Sequence, residues 1–344
     1  MSSPVPGPSA PLAPITRWLV LLVAAIGFLF DTYELLMFPV IGGSALTELL
    51  HVESPTAPEV REWSGKMLWI AALAGGVFGL LGGFLIDIFG RKTVMIGSIL
   101  AYSVSPLAAA YSTELWHLVL FRCTTFIGVC VELVAAVTWL AELFEDKRKR
   151  ELAIGWTLAC ASLGGILVTE VFNEIVSYLK TNPDGVSWLP VKAAAWRYML
   201  LTGLVPGAII LLLMPFVPES RVWREKKRTG TLQRPRFTEL FSPELRRTTI
   251  VTTLLSACGY AAAFGALQLT PLQMTPGLPA IAQIGEEVKT ANGKVKETKE
   301  GTAERKAAEK ELVQAKGAVR QAIVEKGGNI QRWQEIGGDE GAGS

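Results

Sequence analysis

Long apolar runs separated by short polar segments occupy most of this chain. A helix needs about 20 mostly apolar residues to cross the roughly 30 Å hydrocarbon core of a bilayer. Seven runs satisfy this requirement, and they cover residues 18–40, 67–86, 93–112, 115–140, 152–178, 198–217 and 249–275. The pattern therefore predicts an all-α membrane protein with seven spans.

The first apolar run is long enough to be a span in its own right. It contains Asp31 and Glu34, it is longer than the core of a secretory signal, and no A-x-A cleavage pattern follows it. Signal peptides have a short apolar region followed by such a site. We therefore predict that this run is retained as a transmembrane helix.

Lys and Arg are concentrated in alternate loops, which predicts the orientation of the chain in the membrane. The loops after the second, fourth and sixth spans are basic, whereas the intervening loops hold few cations. This bias predicts a cytoplasmic N-terminal segment (1–17) and a cytoplasmic basic linker (218–248). A seventh span at 249–275 would place the tail (276–344) outside.

Composition excludes several classes of function. The net charge of +2 does not favour nucleic-acid binding, and the four cysteines lie in apolar runs where they are expected to be small buried hydrophobes. The two histidines are isolated, so no metal site or cofactor is predicted. No nucleophile with a neighbouring base stands out either, so the chain is not expected to be an enzyme.

The tail differs in character from the rest of the chain. Small and aliphatic residues recur with heptad-like spacing over 281–295 and again over 308–322, with Gly301 between the two segments. This spacing predicts a charged helical hairpin or coiled coil, although a plain solvated helix fits the Ala-rich pattern equally well. The Gly-rich end at 337–344 is expected to be disordered.

The loop after the second span carries the most specific motif. Gly83, Asp87, Gly90, Arg91 and Lys92 lie in the segment GFLIDIFGRK. This segment resembles the G-x-L-a-D-r-x-G-R-K signature of the major facilitator superfamily, and it lies where that family places it. The resemblance implies that this loop controls conformational gating. Gly90 permits a tight turn after the helix.

Three further segments resemble the same family in the same order. Span one has the acidic aromatic segment FDTYE, and span four has Arg122 and Gly128, with Phe126 replacing a glycine of the family pattern. Span six ends in VPESRVW, similar to a P-E-S-P-R-W element. The resemblance also implies a cytoplasmic charge network, formed by Glu142, Arg150, Glu219 and Arg221.

The resemblance implies the six-span N-terminal half of a transporter over 18–217, without spans eight to twelve. A proton-coupled symporter of a sugar or small organic metabolite, in a bacterial inner membrane, is then expected. The chain would need a second transporter half or a homodimer to complete its cavity. Two alternatives stay open: a membrane anchor that presents an extracytoplasmic coiled coil to a partner, and an inert truncation product.

Ionisable residues inside a span are candidates for function because their burial is costly. At 1.5 Å per residue, Asp31 in span one and Arg122 in span four are expected at nearly the same depth. The hypothesis is that Asp31 is the proton site and Arg122 controls its protonation, which agrees with the proton-coupled porters of the family. The alternative is a static salt bridge between them.

Other polar residues in the spans are candidates for binding a small polar substrate. Glu34 and Glu132 lie on faces close to those of Asp31 and Arg122, and span seven contributes Gln268 and Gln273. Glycines recur at 75, 79 and 83 in span two and at 164 and 165 in span five. The resemblance implies that these small residues pack against helices of a second half.

Overall fold

The structure is a computed structural model. It describes residues 14–53, 55, 57–144, 146–187, 192–232, 240–262 and 265, with short stretches and single residues between 287 and 322. Regular secondary structure within these ranges is helical. The predicted all-α membrane fold is therefore confirmed.

Ten α-helices and one 3-10 helix of three residues are defined between Pro14 and Tyr260, within the residues that the structure describes. They are α1 (Pro14–Leu49), α2 (Pro58–Phe89), α3 (Arg91–Ala109), α4 (Leu115–Leu143), α5 (Lys147–Ala161), α6 (Leu163–Thr181), α7 (Ala195–Thr202), α8 (Leu204–Leu213), the 3-10 helix (Met214–Phe216), α9 (Arg221–Arg228) and α10 (Arg246–Tyr260).

Six spans within the described residues are long and apolar enough to cross a bilayer. They are Arg17–Leu49, Pro58–Phe89, Arg91–Ala109, Leu115–Leu143, Lys147–Thr181 and Ala195–Phe216. These correspond in order to the first six predicted spans. The fifth span combines α5 with α6 and the sixth combines α7 with α8, and the joining residues Ser162 and Gly203 both have right-handed helical backbone angles.

The predicted seventh span lies partly outside the described residues. Its first part forms α10, whose residues are all exposed or partly exposed. Of residues 249–275, the structure describes 249–262 and 265. The seventh span therefore stays a prediction.

Small residues bring the helices close together inside this bundle. A Cβ on Gly75 would meet Cys130 and Phe126 of α4 within 2.9–3.3 Å, and one on Gly82 would meet Val131 of the same helix at 3.0 Å. Gly164 of α6 faces the backbone of α1. Gly75 and Gly164 therefore pack within the six-span unit, and the expectation that they face a second half is wrong for these two glycines. Gly83 has open space around it.

Two apolar clusters fill the bundle, one near each end. One cluster contains Val20, Ile86, Val94, Trp139 and Met214, and the other contains Met37, Leu46, Phe172 and Trp196 among its members. Both are fully removed from solvent at their centres. The buried carboxyl groups of α1 and α4 lie between these clusters.

A few residues of the charged tail are described. Lys294 Nζ lies 2.7 Å from Glu311 Oε1, and Arg305 donates to the carbonyl oxygen of Thr298 (3.2 Å). Ala291 and Ala308 are buried. These contacts link the two helical segments, as a hairpin would, but the hairpin and the coiled coil remain predictions.

Candidate functional site

One end of the bundle is organised around Arg91, and we call it the Arg91 end. Gly90 joins α2 to α3 with φ of 98°, a left-handed conformation that only glycine adopts readily. A Cβ at this position would also collide with the Glu219 carboxylate. Two independent reasons therefore favour glycine at position 90: the backbone conformation, which the motif predicted, and the space taken by Glu219, which it did not.

The Arg91 side chain is the centre of a buried ion-pair network. Its guanidinium lies 2.6 Å from Glu142 Oε1 and 3.0 Å from Asp87 Oδ1. Ser220 donates its hydroxyl to the same Glu142 carboxylate. Removing either carboxylate would leave a buried cation undercompensated. The network therefore fixes α2, α3, α4 and the start of α9 relative to one another.

Glu219 caps α3 across a long sequence separation. Its carboxylate accepts the backbone N–H groups of Arg91 and Lys92 at 3.0–3.1 Å. Free N–H groups and the positive end of the helix dipole both favour an anion there. Trp223 adds a hydrogen bond from its indole to the carbonyl oxygen of Asp87 (2.8 Å).

The predicted charge network is only partly reproduced at this end. Glu142 and Glu219 meet there, but they meet at Arg91, and no side-chain ion pair joins Arg150 to them within the described residues. Arg221 is the first residue of α9. At the other end of α9, Arg228 donates to Glu225 and holds the pKa of that exposed carboxyl group below its usual range.

Arg122 of α4 reaches across to the backbone of α1. Its guanidinium is buried and donates to the carbonyl oxygens of Glu34 (2.8 Å) and Leu35 (2.9 Å). Leu35 has a free carbonyl because the residue four positions on is Pro39, which has no N–H. The rings of Phe38 and Phe126 also lie within 5.5 Å of the guanidinium.

The predicted Asp31–Arg122 pair is not formed in this structure. Arg122 is the charged neighbour of Glu34 instead. The two helices are antiparallel, and their register sets Arg122 opposite residues 34 and 35, one turn beyond Asp31. A depth estimate good to a few residues could not distinguish these two carboxylates, since they are three positions apart.

Glu34 lies beside the junction of α7 and α8 in the sixth span. Its carboxylate faces Gly203, which separates α7 from α8, and a Cβ on Gly203 would collide with it. Pro106 of α3 borders the same spot. Nearby, the Tyr33 hydroxyl is hydrogen-bonded to Thr202 (2.5 Å).

Asp31 and Glu132 form a second carboxyl group cluster, closer to the Arg91 end. Both side chains are buried and they face each other across α1 and α4. Gly27 leaves the space that Glu132 occupies, because a Cβ there would collide with its Oε1. Tyr102 of α3 directs its hydroxyl to the same place. The sequence analysis gave these two acids different roles: Asp31 was predicted as the proton site and Glu132 as a candidate substrate ligand.

Sequence reasoning missed a polar cluster at the opposite end, which we call the Arg197 end. Buried Arg197 donates to the carbonyl oxygens of Ala110 (2.6 Å) and Ser112 (2.8 Å), and lies 3.3 Å from Glu48. Lys192 and the Trp196 indole also donate to Glu48, each at 2.9 Å. The only signal was a cation adjacent to Trp196 at the start of a span.

The two remaining predicted ligands, Gln268 and Gln273, lie outside the described residues. The residues that the structure brings together are therefore Asp31 with Glu132 and Tyr102, and Glu34 with Arg122. Two buried acids without a cation and one acid beside a cation offer proton binding and polar recognition.

Comparison with known proteins shows the family of this chain. The model described as Major Facilitator Superfamily matches residues 21–285. The arabinose-proton symporter of Bacillus subtilis (strain 168) is 28% identical over 203 residues, which is 59% of this chain and 37% of that protein. The 4-hydroxybenzoate transporter PcaK of Pseudomonas putida is 31% identical over 163 residues, which is 47% of this chain and 33% of that protein. The chain thus spans about a third of the length of these two relatives.

Solved structures show the same fold. The partially occluded inward-open conformation of the xylose transporter XylE from E. coli superposes with a TM-score of 0.52 at 16% identity, over 93% of this chain and 90% of that chain. A bacterial homolog of the human lysosomal transporter Spinster, inward-facing and unoccupied, gives a TM-score of 0.52 at 15% identity. The match covers 95% of this chain and 62% of that chain. At these identities the likeness concerns the fold alone.

Proposed function

The chain belongs to the Major Facilitator Superfamily, and from that premise we propose that it is the N-terminal part of a secondary transporter. The proposed activity is proton-coupled symport of a sugar or small organic metabolite. The observation that carries the proposal is the set of buried carboxyl groups, Asp31, Glu34 and Glu132, held between two apolar clusters in the middle of the bundle.

The cost of burial supports this proposal. A carboxylate inside a membrane bundle is unfavourable unless it is paired, protonated or solvated by a cavity. Asp31 and Glu132 have no salt bridge within the described residues, and none of their oxygens has a hydrogen-bond partner of ordinary geometry there. Groups kept in this state suit a site that gains and loses protons during a cycle.

The relatives support the coupling and the substrate class. The Bacillus subtilis relative is described as an arabinose-proton symporter, and PcaK as a 4-hydroxybenzoate transporter. A Bacillus subtilis relative described as a putative niacin/nicotinamide transporter, NiaP, is 30% identical over 199 residues. Sugars and small ring acids are therefore the first substrates to test.

Location and partners are also part of the proposal. We propose that the Arg91 end lies in the cytoplasm of a bacterial cell, and the basic loops support this orientation because Lys and Arg tend to stay inside. Secondary transporters of this kind bind substrate between two repeats. We therefore propose that a second transporter half, encoded downstream or supplied by another chain, completes the cavity.

The test is uptake into proteoliposomes under an inwardly directed proton gradient. Labelled arabinose, xylose, 4-hydroxybenzoate and nicotinate would be offered to the chain, and to the chain with any further spans encoded at its locus. One of them should accumulate above its external concentration, and a protonophore should abolish the accumulation. Asp31→Asn should remove this uphill transport, whereas Glu151→Gln on the exposed face of α5 should not. Uphill transport of none of the four, in both preparations and with folded protein, would contradict the proposal.

A further inference from the structure

The arrangement of charges around α1 and α4 points beyond Asp31 alone. Three buried carboxyl groups lie in this region with one buried guanidinium. Arg122 is the charged neighbour of Glu34 and takes no part in a salt bridge with the other two acids. Asp31 and Glu132 are thus left facing each other without a cation.

We infer that Asp31 and Glu132 form one shared proton site, in which a carboxylic acid of one residue is held against the carboxylate of the other. This inference rests on the proposed function, since it names the residue that completes its proton site. Glu132 is then a partner in proton binding and not a substrate ligand. Loading forms one O–H bond on a carboxylate oxygen of the pair, and release breaks that bond, with no redox step.

Electrostatics favours one proton in the pair. Two carboxylates at close range cannot both ionise easily, and burial makes two charges costlier still. One proton converts the repulsion into a hydrogen bond between acid and carboxylate. The remaining single charge needs a donor, and the Tyr102 hydroxyl, which is fully buried and otherwise unpartnered, lies next to Glu132.

Other groups face the pair from the neighbouring helices. Glu34 lies one turn from Asp31 along α1, Cys130 of α4 lies near Asp31, and Tyr260 approaches from α10. None of these is a cation.

The local structure preserves this arrangement. Gly27 provides the space for the Glu132 carboxylate against α1, and a side chain there would push Glu132 away from the helix. Gly128 brings α3 and α4 into close contact, since a Cβ on it would meet Tyr102 at 2.9 Å. Both glycines therefore position the acids and their hydroxyl donor.

Infrared titration of the purified 344-residue chain in lipid nanodiscs tests the inference without requiring transport. The wild-type protein should show one protonated carboxyl group that titrates as a single event. Coupled acids interact by more than about one pH unit, so Glu132→Gln and Asp31→Asn should each move the midpoint by at least about tenfold in proton concentration, or remove the event. Glu151→Gln, on the exposed face of α5, is the matched control, and it should leave the carboxyl band of the pair in place.

Each outcome decides the matter. If Glu132→Gln leaves the titration of Asp31 unchanged in a folded protein, the two acids are independent and the inference is wrong. Glu132→Asp keeps a carboxyl group and should retain a coupled titration with a shifted midpoint, which separates loss of the acid from misfolding. A coupled pair in a protein that transports nothing would contradict the proposed function and support the shared site. Proton-driven uptake that is insensitive to Glu132→Gln would support the proposed function and contradict the shared site.

Discussion

The carbonyl oxygen of Leu35 accepts a hydrogen bond from Arg122 at 2.9 Å, linking α1 to α4. In an uninterrupted helix that oxygen would accept the N–H four residues on, but Pro39 occupies this position. The proline thus creates the acceptor that the buried arginine uses. Two positions that are distant in sequence therefore act as one structural unit.

This relationship predicts coupling between Pro39 and Arg122. Pro39→Ala supplies an N–H that competes for the Leu35 carbonyl, so Arg122→Lys should cost less in the Pro39→Ala background than in the wild type. Lysine cannot reproduce the two diverging donors of the guanidinium. We expect a coupling energy of about 1 kcal/mol in a double-mutant cycle of detergent or chemical unfolding. Strict additivity of the two changes would contradict this account.

The ion pair between Arg91 and Glu142 should contribute far more than exposed pairs do. Glu142→Gln leaves a buried guanidinium with a weaker partner, and we expect it to cost about 1–3 kcal/mol of stability. Glu151→Gln is the control. Glu151 Oε1 lies 3.9 Å from Lys147 Nζ, both side chains are exposed, and such pairs contribute about 0–1 kcal/mol. Thermal unfolding in detergent would compare the two, and equal losses would show that the Arg91 network is not stabilising.

Gly90 and Gly83 should respond oppositely to alanine although they belong to one motif. Gly90→Ala combines a left-handed backbone with a collision at Glu219, and we expect a loss of about 1–3 kcal/mol. Gly83 lies in α2 with open space around it, so alanine there should be neutral or stabilising by up to about 1 kcal/mol. The melting temperatures of the two variants provide the measurement. Comparable destabilisation by both would argue against the Gly90 geometry.

Arg197 and Lys192 share Glu48 but differ in burial, which predicts unequal effects. Arg197→Ala would leave the carbonyl groups of Ala110 and Ser112 and part of Glu48 without a donor, at a cost of about 2–3 kcal/mol. Lys192 has a side chain that is 70% exposed, so Lys192→Ala should change stability by less than about 1 kcal/mol. A larger loss from Lys192→Ala would overturn this ranking.

The sequence predicted the parts of the structure that depend on local pattern. Six spans appear in the predicted order, because a helix in hydrocarbon must be long and apolar wherever its neighbours lie. The turn at Gly90 and the basic character of its loop were likewise readable, since a tight turn and a short loop depend on adjacent residues. Asp31 and Arg122 were singled out because charge inside an apolar run is evident in one dimension.

The tertiary structure decided which of these residues meet. Arg122 contacts the backbone at Glu34 and Leu35 and leaves Asp31 facing Glu132, because the antiparallel register of α1 and α4 sets the partners, and a shift of one turn changes them. Glu219 and Arg197 find their acceptors and donors on helices far away in sequence. Hydrophobic periodicity specifies that a helix is buried, but the relative height and rotation of two helices arise from side-chain packing over their whole contact, which no single segment encodes.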